Sequence, residues 1–209
     1  MTFLRGLVTS VLLALGACSG DDTPAPPPAT SASPAEAPPS ERVVGPLSVA
    51  DAQALATMNH RLAEYVALHR KLEETLPKLP DAATPKQIDD NQRKLEQLVR
   101  EARARAKPGD IFTPDARPVI KRLLARVFGG LEGKQLKASI MDENPVGLKL
   151  SVNGRYPDNV PLSTVPPEVL QTLPKLPEDM EYRFVGDRLV LFDAHAHVIA
   201  DFIEDALPS

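Results

Sequence analysis

The chain has 209 residues, a formal net charge of −4, 22 prolines, one cysteine and no tryptophan. A single cysteine excludes an intrachain disulfide, and an aromatic content of 4% is a poor basis for a surface that stacks nucleic-acid bases.

Residues 1–17 read as a removable export signal. Arg5 supplies the positive start, Leu7 to Leu15 the apolar run, and Leu15-Gly16-Ala17 the small-residue end. The apolar run is shorter than the roughly 20 residues a membrane-spanning helix needs. Cys18 follows at once, and an exposed free thiol would be unusual on an exported protein. The order Leu15-Gly16-Ala17-Cys18 resembles the lipobox of bacterial lipoproteins. That resemblance implies that the Cys18 thiol is diacylglycerated, becomes the first residue of the mature chain and attaches it to a membrane. By similarity to lipoprotein sorting in two-membrane bacteria, Ser19 implies the outer membrane, with the protein facing the periplasm. Residues 18–45 are rich in Pro, Ala, Ser and Thr and cannot bury enough apolar surface to fold. At about 3 Å per residue they form an extended stalk of some tens of ångströms. Residues 46–209 remain for a single folded domain.

Two helices are expected to follow as an antiparallel hairpin over 48–107. Ser48 with Asp51 starts the first, whose apolar Leu55, Met58, Leu62, Tyr65 and Leu72 step by three and four, and Pro77 ends it, giving about 49–75. Thr84-Pro85-Lys86-Gln87 starts the second with an N-cap, a proline at the first position and Gln at the third, and it is expected to run to Pro108-Gly109. Its seam would be Ile88, Leu95, Leu98 and Ala102. Antiparallel pairing sets Leu72 by Ile88, Tyr65 by Leu95, Leu62 by Leu98 and Met58 by Ala102. His69 and Asn91 then share one layer, a polar pair that would fix the register.

Thr113-Pro114 opens a third helix carrying Val119, Ile120, Leu123, Leu124, Val127 and Phe128, stopped at Gly129-Gly130. A fourth, about Leu131 to Asp142, gathers Leu136, Ile140 and Met141 and ends at Asn144-Pro145. The glycines around Leu131 lack the spacing of a phosphate loop. From Asn91 to Lys137, twelve Lys and Arg stand against five Asp and Glu, a net of +7, while Met141 to Ser209 carries a net of −7. Mutual attraction of the two stretches is the simpler reading; a basic face over 91–137 for an anionic ligand is the functional one.

The period then changes to two. Leu148, Leu150 and Val152 alternate with Lys149, Ser151 and Asn153, which predicts a half-buried strand. A short helix starts at Val165-Pro166-Pro167-Glu168. Glu181 to Val185 and Arg188 to Phe192, separated by Gly186-Asp187, predict a hairpin with Tyr182 opposite Leu191 and Phe184 opposite Leu189. A third strand near His197 to Ile203 completes a meander. Tyr182-Arg183-x-Val185-Gly186-x-x-Leu189-x-Leu191-x-Asp193 and Ile199-x-Asp201-x-Ile203 resemble the ends of uncharacterised exported bacterial proteins over about 25 residues, with no activity implied.

Phe192-Asp193-Ala194-His195-Ala196-His197 resembles the first-strand signature of amidohydrolase-type metal enzymes, in which two histidines two apart hold a divalent metal. In that family the motif opens a (β/α)₈ barrel of roughly 250 residues, whose later strands give the remaining ligands. Here 12 residues follow His197. A smaller site would use His195 and His197 with Asp193 or Asp201, or ligands from upstream, where His60 and His69 both lie on the first helix. No nucleophilic cysteine, Gly-x-Ser-x-Gly elbow or paired carboxylate motif accompanies it.

The expected architecture is mainly helical α+β: the long antiparallel helix hairpin, two shorter helices within 113–142 and a small C-terminal antiparallel sheet within 147–205. The expected function is that of a membrane-anchored bacterial cell-envelope lipoprotein with a non-enzymatic structural or interaction role. Its partners would be the membrane through lipid on Cys18 and a protein or cell-wall component, with no cofactor and no nucleic acid. The alternative is a small metal-dependent hydrolase using His195 and His197.

Overall fold

The two helix starts that the sequence marks most clearly form as caps. In the computed structural model, which describes residues 47–143 and 147–208, Ser48 accepts a hydrogen bond from the Asp51 N–H and opens α1 (Val49–Glu73). Thr84 and Gln87 close a reciprocal capping box around Pro85 and open α2 (Pro85–Ala102). The expected export signal, Cys18, the stalk and the stop at Asn144-Pro145 lie outside the described residues.

Three further helices follow, α3 (Ala116–Val127), α4 (Gly130–Glu143) and α5 (Pro167–Thr172), then an antiparallel sheet of β1 (Met180–Val185), β2 (Arg188–Asp193) and β3 (Val198–Ile203) in the order β1-β2-β3. The fold is mainly helical α+β. Two glycines in the first turn of α4 are structural: Gly130 has φ +75°, and a Cβ on Gly133 would run into the Phe128 carbonyl carbon and lie 2.6 Å from the Val127 oxygen.

The sheet hairpin has the expected register, with Tyr182 opposite Leu191 and Phe184 opposite Leu189 across a turn whose first residue, Gly186, has φ +61°. The β2–β3 register shifts between Leu191 and Phe192, so β3 carries one extra residue. Strict alternation would send Ile199 and Phe202 to opposite faces. The bulge lets both join one core while Val198, Ala200 and Ile203 join the other.

Those two cores explain where the expected hairpin seam fails. The helix-side core collects Met58, Leu62 and Tyr65 of α1, Leu95 and Val99 of α2, most of the α3 stripe, and Tyr182, Phe184, Leu189 and Leu191 from the sheet. Each helix therefore aims its stripe at a shared centre rather than at its neighbour, and α1 packs on α3 as well as on α2. Ile88 is 50% exposed and Ala102 is exposed, while the buried face of α2 is Leu95, Glu96 and Val99. His69 and Asn91 do not meet: the Asn91 amide donates to the Pro77 carbonyl at 3.2 Å, and His69 faces Asp193. In α4, Ile140 is buried and Leu136 packs on the core, but Met141 is exposed.

The helix α2 stops at Ala102, six residues before the expected stop at Pro108. Arg103 leaves the helix to lay its guanidinium 4.7 Å over the Tyr65 ring and to donate to Asn153 Oδ1 at 2.7 Å and the Ala200 carbonyl at 3.1 Å. The Leu148–Val152 strand does not form. Its alternation is real, because Leu148, Leu150 and Val152 pack on Tyr156, Val190, Phe192 and Phe202 on the sheet's second face. The free edge of β3 is taken instead by the next residues, through Asn153 N–H to the Ile199 carbonyl at 2.8 Å, Ile199 N–H to the Gly154 carbonyl at 2.9 Å and an Arg155–Val198 bridge. Ser163 bonds the β1 edge at Phe184, donating its hydroxyl to the Phe184 carbonyl at 2.8 Å and accepting the Phe184 N–H at 3.2 Å.

Candidate functional site

One face of α1 carries Tyr65, His69 and Glu73 at four-residue steps, which stacks the three side chains along a line. The line lies over the end of β2. There Asp193, with no exposed surface, accepts the Tyr65 hydroxyl at 2.5 Å and His69 Nδ1 at 2.6 Å on Oδ2, and the Ala196 N–H at 2.8 Å on Oδ1. The last bond fixes the turn 194–197, and it brings His195 against the helix. The rings of His69 and His195 lie 5.5 Å apart, and His195 Nδ1 is 3.5 Å from Glu73 Oε1.

Because Asp193 Oδ2 accepts, the His69 proton sits on Nδ1, and Nε2 looks away from Asp193 toward Glu73. That nitrogen is buried and has no hydrogen-bond partner; the nearest carboxylate oxygen, Glu73 Oε2, is 3.8 Å away. Burial pulls the His69 imidazole toward its neutral form. The hydrogen bond and charge of Asp193, helped by Glu73 and Asp179, more than offset this and hold its pKa above the ordinary value. Burial first, and then the adjacent Asp193 charge, keep the Tyr65 phenol neutral well beyond its ordinary range. His69 is 4% exposed, whereas the side chains of Glu73 and His195 are 44% and 34% exposed, so the cluster opens to solvent at its rim.

The chain finds no match among protein-family models, curated proteins or solved structures.

The structure does not bring His195 and His197 to one site. They lie in a turn, not on a strand, so the two-residue step does not place them on one face. His197 takes a left-handed backbone, φ +57°, and packs edge-on against Phe192 and Tyr156 in the second core, with Nε2 3.5 Å from Asp158. Burial, and then the nearby Arg155, lower its pKa. Asp201 is also elsewhere. Its buried carboxylate accepts N–H bonds from Gly109, Ile111, Phe112 and Phe202, at 2.8 to 3.2 Å, and holds the α2–α3 loop on the sheet. His60 sits on the exposed side of α1 beside Glu64.

What sequence reading missed is the join between His69 and the Asp193–His195 turn. The available signal was the Tyr65-x₃-His69-x₃-Glu73 step, three polar-tipped residues along one side of an apolar stripe. Within the basic stretch 91–137, Arg93 pairs with Asp89 and Asp158, Arg100 with Glu96, Arg122 with Asp51, and Lys137 with the Pro208 carbonyl. Among the described residues no helix is long and apolar enough to cross a membrane.

Proposed function

We propose that this protein is a lipid-anchored component of the bacterial cell envelope, held through Cys18 to the outer membrane and facing the periplasm. Its folded body acts through contacts with a protein or cell-wall partner rather than by turnover. The observation that carries the reading is the lone cysteine of the chain standing directly behind Leu15-Gly16-Ala17 at the end of an apolar run. Two features of the body support the non-enzymatic half: Asp193 and Asp201, its fully buried carboxylates, are both committed to hydrogen bonds that hold the fold. A hydrolase built on His195 and His197 is disfavoured, since the two rings have separate surroundings.

The test is fractionation of cells expressing the wild-type chain or Cys18→Ala. The reading expects wild type in the membrane fraction and the variant released from it. Equal membrane retention of the two would remove the tether.

A further inference from the structure

We propose that His69, Glu73 and His195 bind one divalent transition-metal ion, with Zn²⁺ the best match to the donors, and that Asp193 is the positioning residue for His69. The proposal goes beyond the envelope role and does not depend on it. One ligand atom from each of the three residues can be chosen so that all lie within 4.8 Å of one another. Glu73 Oε1 is 3.5 Å from His195 Nδ1, and Oε2 is 3.8 Å from His69 Nε2. Ligand atoms around a tetrahedral Zn²⁺ with bonds of about 2.0–2.1 Å lie roughly 3.3 Å apart, so seating the ion requires the three side chains to draw together by at most about 1.5 Å.

His69 Nε2 is a buried nitrogen with no hydrogen-bond partner; His197 Nε2 is likewise buried and unpartnered, but of the two only His69 lies in a cluster with two further metal-ligating side chains. Asp193 takes the proton-bearing Nδ1, which leaves the Nε2 lone pair facing Glu73 and His195. A carboxylate behind a histidine whose other nitrogen faces further donors is the arrangement by which proteins orient a metal-binding imidazole and raise its basicity. Two imidazoles and one carboxylate suit Zn²⁺ and its neighbours, whereas Mg²⁺ and Ca²⁺ require oxygen donors. Three protein ligands leave a fourth position for solvent, on the side where Glu73 and His195 are exposed. Bound there, the ion would fasten the C-terminal turn of α1 to the β2–β3 turn.

The experiment is calorimetric titration of Zn²⁺ alone into the chelator-stripped full chain in detergent, carrying Cys18→Ala so that the thiol cannot bind the ion. Thermal unfolding is followed with and without Zn²⁺. One Zn²⁺ per chain and a raised midpoint are expected. Glu73→Gln and His195→Ala, at partly exposed positions, should each weaken binding at least about 100-fold, and Asp193→Asn about 10- to 100-fold. His60→Ala and His197→Asn, the latter tolerant of the left-handed backbone, should bind as the parent does. No saturable binding, binding that survives both Glu73→Gln and His195→Ala, or binding lost in His197→Asn would overturn the assignment.

Discussion

Two buried side chains, Asp201 and Tyr182, show how single groups hold this fold. Asp201 satisfies backbone N–H groups of a loop some 90 residues earlier in the chain. Asp201→Ala strands those donors inside the protein, where each costs about 1–3 kcal/mol. Chemical denaturation should show a loss of at least about 3 kcal/mol, and a loss below about 1 kcal/mol would contradict the assigned role. Tyr182 is buried and donates its hydroxyl to the Pro174 carbonyl at 3.0 Å, and burial raises its phenol above the ordinary value of about 10. A raised phenol contributes stability that is complete below pH about 10 and is lost as pH climbs through the folded-state value. Tyr182→Phe should therefore lose about 0.5–1.5 kcal/mol near neutrality with the hydroxyl's bond, and its stability should fall less steeply than wild type above pH 10. Parallel slopes in the two proteins would contradict it.

The starts of α1 and α2 and the β-hairpin were legible in the sequence because local chemistry decides them. Ser48, the Thr84–Gln87 box and Gly186 each act within three residues of themselves. The buried stripes of α1 and α3 were read correctly, but what each stripe meets is set by partners far away in the chain, and there the expected α1–α2 seam failed. Tyr65 and His69 meet a carboxylate 128 and 124 residues later, and nothing near them in sequence announces Asp193. The Leu148–Val152 alternation marked a real one-sided burial, but a ladder also needs a free edge, and residues 153–156 occupy that of β3. The candidate site was half visible: His195 was flagged for its spacing to His197, whereas its neighbours in space are His69 and Glu73. The difference between a private helix seam and a shared core can be measured. Leu95, with no exposed surface, should cost about 2–5 kcal/mol on truncation to Ala, while Ile88→Ala should stay within about 0.5 kcal/mol. Comparable losses at both positions would restore the seam.

At the scale of the molecule, the sheet is a buried middle layer, with helices on one face and the 148–160 segment on the other. The described chain itself occupies part of both sheet edges, at Phe184 through Ser163 and along β3 through residues 153–156. The His69–Asp193 link stands where α1, the longest helix, crosses the β2–β3 turn, and an ion at its rim would tie the same two elements again. In the proposed role this body is carried on a Pro- and Ala-rich stalk from an acylated cysteine, which keeps it near the membrane without inserting it. Two or more acyl chains hold such an anchor stably, where one alone binds marginally. The intact mass of the protein purified from membranes tests that role most directly. The account predicts a chain that begins at Cys18, lacks residues 1–17 and carries the added mass of diacylglycerol. A chain retaining the first 17 residues, or one with an unmodified Cys18, would contradict it.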